Sequence, residues 1–157
     1  MSAHDLRTGH PRRWNVSVDG VIWLPRVIDK ARAYDAGALG AYLYGQSPVD
    51  DSLLAAARID YAALLDAVRA APDDAGVLAE IEHRAPGAGE RMRAWSAKPP
   101  ATCRAIFAWN DVDEGYTRGP VARVVGFLSN LIYPALTASM RKARPFKERW
   151  RAARASR

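Results

Sequence analysis

Apolar residues recur at helical spacing from Leu24 through Val27, Ile28, Ala31 and Tyr34, which predicts an amphipathic helix over residues 25–36. Pro25 suits a first helical position, where a missing N–H costs nothing, and Gly37 can take the left-handed conformation that stops a helix. Residues 38–44 predict a short turn or helix, broken by Gly45-Gln46-Ser47-Pro48. Asp50 or Asp51 then caps a short helix that runs to Ala57. Asp60 caps the next, whose apolar face is Tyr61, Leu64, Leu65 and Val68 and whose end is Pro72. Asp73 or Asp74 opens another, with Val77, Leu78 and Ile81 facing inward. Glu90 to Ala97 places Met92 and Trp95 on one side, and Lys98-Pro99-Pro100 stops any helix.

Past that proline pair the pattern is denser and less periodic. Residues 103–109 hold Ile106, Phe107 and Trp109 close together, which fits either a short strand or a buried turn of helix. Residues 110–119 read as a loop. Gly119-Pro120 opens a long apolar helix from Val121 towards Met140, interrupted by Pro134. Pro145 opens a final basic helix with Phe146, Trp150 and Ala153 on one side. The expected fold is all-α, a compact multi-helix single domain with a basic C-terminal helix. Its organisation divides into a helical core at 1–98, an extension at 101–140 packed on that core, and a tail at 141–157.

A chain of 157 residues is long enough to bury a core without staples. Its 49% apolar and 25% charged residues match an ordinary globular protein. Cys103 is the only cysteine, so no internal disulfide and no thiolate cluster for a metal can form, which suits a reducing cytoplasm. The first residues lack the apolar run of a secretory signal. Charge is concentrated: residues 141–157 carry eight Lys/Arg against Glu148, a net of +7, while the whole chain is +6. The remainder is therefore close to neutral. Such a tail (Arg141, Lys142, Arg144, Lys147, Arg149, Arg151 and Arg154, with Trp150 among them) can meet nucleic acid, an anionic surface or an acidic protein patch. It can equally serve solubility alone. Residues 124–140 are uncharged but include Ser129, Asn130, Pro134, Thr137 and Ser139, and are too short for a membrane span of ~20 apolar residues. A buried helix is the better reading, and no transmembrane segment is expected.

Several short stretches carry a family resemblance. Asp5-Leu6 with Pro11-Arg12, Leu24 to Arg32 (LPRVIDKAR), Gly40 to Tyr44 and Pro48 to Asp50 resemble the elements of a bacterial domain-of-unknown-function family, DUF5069. The resemblance spans roughly the first 85 residues, and LPRVIDKAR is its most specific part. It implies a small, mostly helical protein and supplies no catalytic residue. After the second tyrosine this chain reads Gly45-Gln46-Ser47 where the pattern has Asn-Cys, so no thiol role transfers.

The strongest chemical constellation lies in that same segment. Asp29 and Lys30 fall three and four residues after Arg26, one helical turn away on the same side. If Tyr42, Tyr44 or Asp50 folds back over this face, the result is a polar pocket with a fixed cationic fork, suited to a carboxylate or phosphate. The simpler reading pairs Arg26 and Asp29 with neighbouring helix ends and leaves Lys30 in water. Tyr42 and Tyr44 are two apart, so they share a face only in extended chain, and core packing with a satisfied hydroxyl is the simpler use of each.

Other motifs are weaker. His4, His10 and His83 lack metal-ligand spacing, and no metal or cofactor is expected. Ser139 and Lys142 match S-x-x-K without its companion motifs. Gly87-Ala88-Gly89-Glu90-Arg91 falls short of a phosphate loop. Asp111, Asp113 and Glu114 begin like a calcium loop, but Gly115 comes too early and no closing glutamate follows.

The function expected from sequence is thus a binding module for a small anionic ligand or acidic partner, using Arg26, Asp29, Lys30, Tyr42, Tyr44 and Asp50. One alternative is an enzyme with Lys30, Tyr42 or Tyr44 as proton carrier. The other is nucleic-acid or anionic-surface binding through the tail.

Overall fold

A computed structural model describes residues 5–117, 119, 120 and 124. Apart from Val124, the expected apolar helix over 121–140 lies outside the described residues, as do the basic helix and tail beyond it. The chain divides into two compact units, Met1–Ala108 and Trp109–Arg157.

The described residues are mainly helical. The order is β1 (Ser17–Val18), β2 (Val21–Ile22), α1 (Leu24–Asp35), α2 (Pro48–Ala57), α3 (Tyr61–Ala70), α4 (Asp74–Arg84), α5 (Ala88–Ala97) and α6 (Ala101–Asp113). β1 and β2 form an antiparallel pair with Ser17 opposite Ile22 and Val18 opposite Val21. The two-residue turn between them, Asp19-Gly20, has φ of 46° and 76°. Both angles are left-handed, as the twist of a tight hairpin requires, and Asp-Gly is a favoured pair for it.

Most helix ends follow from local chemistry. Asp60 accepts a hydrogen bond from the Ala63 N–H at 2.8 Å, and Asp73 accepts one from Gly76 N–H at 2.7 Å, so both act as the expected N-caps. In α2, by contrast, Ser47 holds the cap position with Pro48 behind it, and Asp50 and Asp51 lie in the first turn. Residues 38–44 form turns rather than a helix. Residues 103–109, which a strand would also have fitted, belong to α6. A helix there turns Cys103 and Phe107, four residues apart, into the core together.

The core of the first unit is built by α1 against α3, α3 against α4, α4 against α5, and α5 against α2 and β2. Val21, Leu24, Val27, Ile28, Val49, Leu53, Leu64, Val77, Ile81 and Met92 are shut off from solvent entirely. Each such side chain contributes ~1.5–3 kcal/mol by burial. Aromatic rings stack at one end of this core: Phe107 lies 4.9 Å from Trp14 and 5.0 Å from Trp23, ring centre to ring centre. α1 runs through the middle, and every residue from Leu24 to Ala31 is buried. That burial is the central fact for function, because three of those residues are Arg26, Asp29 and Lys30.

Candidate functional site

Charge inside a core must be partnered, since an isolated buried ion costs far more than folding can supply. Each charged group of α1 meets this demand differently. Asp29 faces the segment that precedes β1. It accepts from the Arg12 backbone N–H at 2.8 Å and from the Arg12 guanidinium at 2.8–3.2 Å. Arg12 also pairs with Asp74 at the start of α4, and Arg32 of α1 reaches the same carboxylate at 3.3 Å. Burial works against the Arg12 charge, yet the hydrogen bonds from Asp29 and Asp74 outweigh it and hold the guanidinium's pKa above its ordinary value. Arg26 donates from Nη1 to the carbonyls of Pro11 and Arg12, at 3.3 and 3.0 Å. The segment from His10 to Trp14 is therefore an arm strapped across α1 by ionic and backbone hydrogen bonds.

Lys30 points the other way, into α2. Its Nζ donates to Asp50 Oδ2, while the other carboxylate oxygen accepts from Trp23 Nε1 at 2.7 Å. Trp23 is the N-cap of α1 and holds φ of 67°. A left-handed aromatic residue is strained by about 1–3 kcal/mol, and the Asp50 bond together with the stack on Phe107 secures it. The indole also faces both cations: the Arg26 guanidinium carbon lies 5.2 Å and Lys30 Nζ 5.7 Å from its ring centre.

The two tyrosines part company. Tyr42 lies beneath Arg26, whose guanidinium carbon is 5.7 Å from its ring centre, and its hydroxyl is 2.6 Å from His10 Nδ1. Tyr44 turns inward, donates to the Tyr61 carbonyl at 2.8 Å and stacks on Tyr34 at 4.8 Å. Burial, with Asp50 nearby, pushes the Tyr44 phenol well above its ordinary range. Tyr61 is raised by burial and by Asp50 and Asp51, and its hydroxyl donates to Asp51 at 2.8 Å. Of the sequence candidates, the structure thus brings Arg26 to Tyr42 and Lys30 to Asp50. Asp29 is taken up by Arg12, and Tyr44 belongs to the core. Lys30 is 3% exposed, so the simpler expectation that it faces water is corrected. The buried Asp50 carboxylate is the reason, since its pairing with Nζ compensates for taking the ammonium out of water.

Sequence reasoning passed over three contributors: His10, Arg12 as an ion-pair partner, and Trp23. The arm's composition, His10-Pro11-Arg12-Arg13, is a local sign of the first two, and nothing in the spacing around Trp23 marks the third. The Gln46 amide is buried, and neither of its polar atoms finds a protein partner. The tail candidates Arg141, Lys142, Arg144, Lys147, Arg149, Trp150, Arg151 and Arg154 lie outside the described residues.

Residues 8–115 match the model of the family described as Domain of unknown function (DUF5069). The chain belongs to the DUF5069 family. No curated protein matches it. The DUF5069 match starts at the arm and passes through α6, farther along the chain than the short motifs reach. It includes His10, Arg12, Trp23, Arg26, Asp29, Lys30, Tyr42 and Asp50.

A separate cleft of about 460 Å³ opens beside α4 and α5, lined by Asp19, Leu78, Glu82, Glu90 and Arg93 among others. Arg93 closes one side through an ion pair with Asp19 at 2.7 Å. Glu82 accepts from the Gly87 and Gly89 N–H groups at 2.5 and 2.8 Å, and those two bonds hold its carboxyl below the ordinary range. The amides that a phosphate would need at Gly87-Ala88-Gly89 are thus already occupied. Among the described residues, no group of three His, Cys, Asp or Glu side chains could hold a metal ion, and no helix is long and apolar enough to cross a membrane.

Proposed function

We propose that this DUF5069 protein is a binding module for a small anionic group, recognised at the rim where the arm crosses α1 and where His10, Arg12, Tyr42 and Arg26 converge. The observation that supports this reading is the position of Arg26, held between the Trp23 and Tyr42 rings and hydrogen-bonded to the arm's own carbonyls. Apolar residues of similar volume would hold the helices together at least as well as a buried ion-pair set. Four buried charges on α1 and α2, beside a strained Trp23, are therefore better explained as scaffolding that fixes a recognition surface. The Arg12 and Arg26 guanidinium groups, their own donors engaged by Asp29, Asp74 and the arm's carbonyls, place positive charge beneath the rim, and Tyr42 and His10 supply polar groups at the solvent edge, a set whose field suits a carboxylate or phosphate. A cytoplasmic setting belongs to the same reading, since the one thiol, Cys103, is free and buried.

Thermal unfolding in a panel of inorganic phosphate, acetate and citrate, each at constant ionic strength, tests the idea. At least one anion should raise the melting temperature saturably, and Tyr42→Phe, His10→Ala and Arg26→Lys should each weaken that response. A response equal to that of chloride across the whole panel, or one that all three variants retain, would overturn it.

The alternative, an enzyme with Lys30, Tyr42 or Tyr44 as proton carrier, is best carried by Tyr42, since Lys30 is paired with Asp50 and Tyr44 with the Tyr61 carbonyl, both away from solvent. The tail alternative rests on the charge of residues 141–157 and makes its own prediction. Affinity for a polyanion should fall steeply with salt and vanish when those residues are deleted.

A further inference from the structure

We infer that Tyr42 and His10 form a base-activated phenol, a proton-transfer site at the solvent edge of the arm. The proposal takes its substrate class, a small anion, from the reading above; the pair itself stands on separate geometry.

Three tyrosine hydroxyls with described partners can be compared. Tyr44 donates to a backbone carbonyl and Tyr61 to the Asp51 carboxylate, and burial raises both phenols, so these two keep their protons. Tyr42 is different, because its hydroxyl lies 2.6 Å from an imidazole nitrogen. In the tautomer with hydrogen on Nε2, the phenol donates and Nδ1 accepts. The rings meet edge to face at 86°, with 6.4 Å between centres. His10 is exposed, so Nε2 can exchange protons with water, while Tyr42 is half-buried. The Arg26 guanidinium, 5.7 Å from the phenol ring centre, faces the negative charge that develops when the hydroxyl gives up its proton.

The chemistry balances without any further reactant. The Tyr42 O–H bond breaks and an N–H bond forms at His10 Nδ1, leaving phenolate and imidazolium. The phenolate oxygen then takes a proton from an acidic C–H or O–H of the bound anion, which restores the hydroxyl. The imidazolium returns its extra proton to water. Base assistance of this kind commonly contributes ~10²–10⁴-fold to a rate.

A tyrosine-selective sulfonyl fluoride reports on the pair with no ligand present: the phenol oxygen bonds to sulfur, fluoride leaves, and the phenolic proton passes to the base. Peptide mass spectrometry of the full chain should find Tyr42 labelled about tenfold faster than Tyr34 and Tyr116, although those two are 38% and 49% exposed. His10→Ala should remove about tenfold of the Tyr42 rate and leave Tyr34 and Tyr116 unchanged, which also shows that the variant is folded. His10→Gln, which can hydrogen-bond but is not a base, should behave like His10→Ala. Labelling of Tyr42 no faster than of Tyr34 and Tyr116, or a wild-type rate in either His10 variant, would overturn the assignment. Failure of the anion panel would leave these rates untouched, so the two ideas fail separately.

Discussion

Lys30 Nζ donates to the Asp50 carboxylate with both side chains closed off from solvent, at 4% and 0% exposure. This ion pair joins α1 to α2, and the same carboxylate orients the Trp23 indole. Removing one member leaves the other charge stranded. Lys30→Met and Asp50→Leu should each lower unfolding free energy by ~3–5 kcal/mol, whereas the double variant should recover a large part of that loss. Urea unfolding of the three variants checks this. Single variants within about 1 kcal/mol of the parent would mean that the pair is hydrated.

Arg12 bridges Asp29 and Asp74 while its own side chain is 34% exposed. Arg12→Ala should cost less than the Lys30 variants, about 1–3 kcal/mol, because water can partly replace it. Arg12→Lys should rescue little, since an ammonium cannot span two carboxylates as a planar fork does. Amide hydrogen exchange should show residues 12–16 losing protection in both variants before the helices do. Unchanged protection would remove the arm's strap.

Gly40 has φ of 62°, and a Cβ there would come within 2.5 Å of the Leu6 carbonyl oxygen and 2.9 Å of Arg7 Cα. Gly40→Ala therefore meets backbone on one side and a left-handed penalty on the other. A loss of about 2 kcal/mol or more is expected. Gly45→Ala is the control: it carries the left-handed penalty alone, for nothing lies within 4 Å of its added carbon, and should cost about 1 kcal/mol. Thermal or urea unfolding that ranks the two equally would refute the close approach.

Tyr44 and Tyr61 make alkaline stability a readout of their burial. Their phenols are raised in the folded protein, so above the ordinary phenol range, near 10, the unfolded chain loses protons that the native state keeps. Their contribution is complete below that pH and declines as pH rises through it, by up to ~1.4 kcal/mol per pH unit for each group. Tyr44→Phe should be less stable at pH 8, through the lost bond to the Tyr61 carbonyl, yet show a shallower decline between pH 10 and 11.5. Parallel declines for parent and variant would mean that the Tyr44 hydroxyl is solvated.

Helix chemistry was largely legible in the sequence. The apolar spacing from Leu24 to Tyr34 delimited α1, Asp60 and Asp73 marked their helix starts, and the proline pair ended α5, because capping and periodicity act within a few residues of each other. The Asp19-Gly20 hairpin was also written there, in Val18-Asp19-Gly20-Val21, but two-residue strands are too short for alternation to reveal them. Residues 103–109 stayed open between strand and helix, since a short apolar run fits either until its neighbours decide.

By itself the sequence determined the mainly helical class and placed Arg26, Asp29 and Lys30 within one helical turn, because periodicity is a property of the local backbone. Which partner each charge received was decided only by tertiary structure. Asp29 went to Arg12, Lys30 to Asp50, and Tyr42 to His10, across separations of 17, 20 and 32 residues. Such pairings depend on how the arm and α2 cross α1. They arise because a helical stretch buried on all sides, as Leu24 to Ala31 is, must find a counter-charge for every ion it carries, and the pattern of a single segment does not encode where that counter-charge lies.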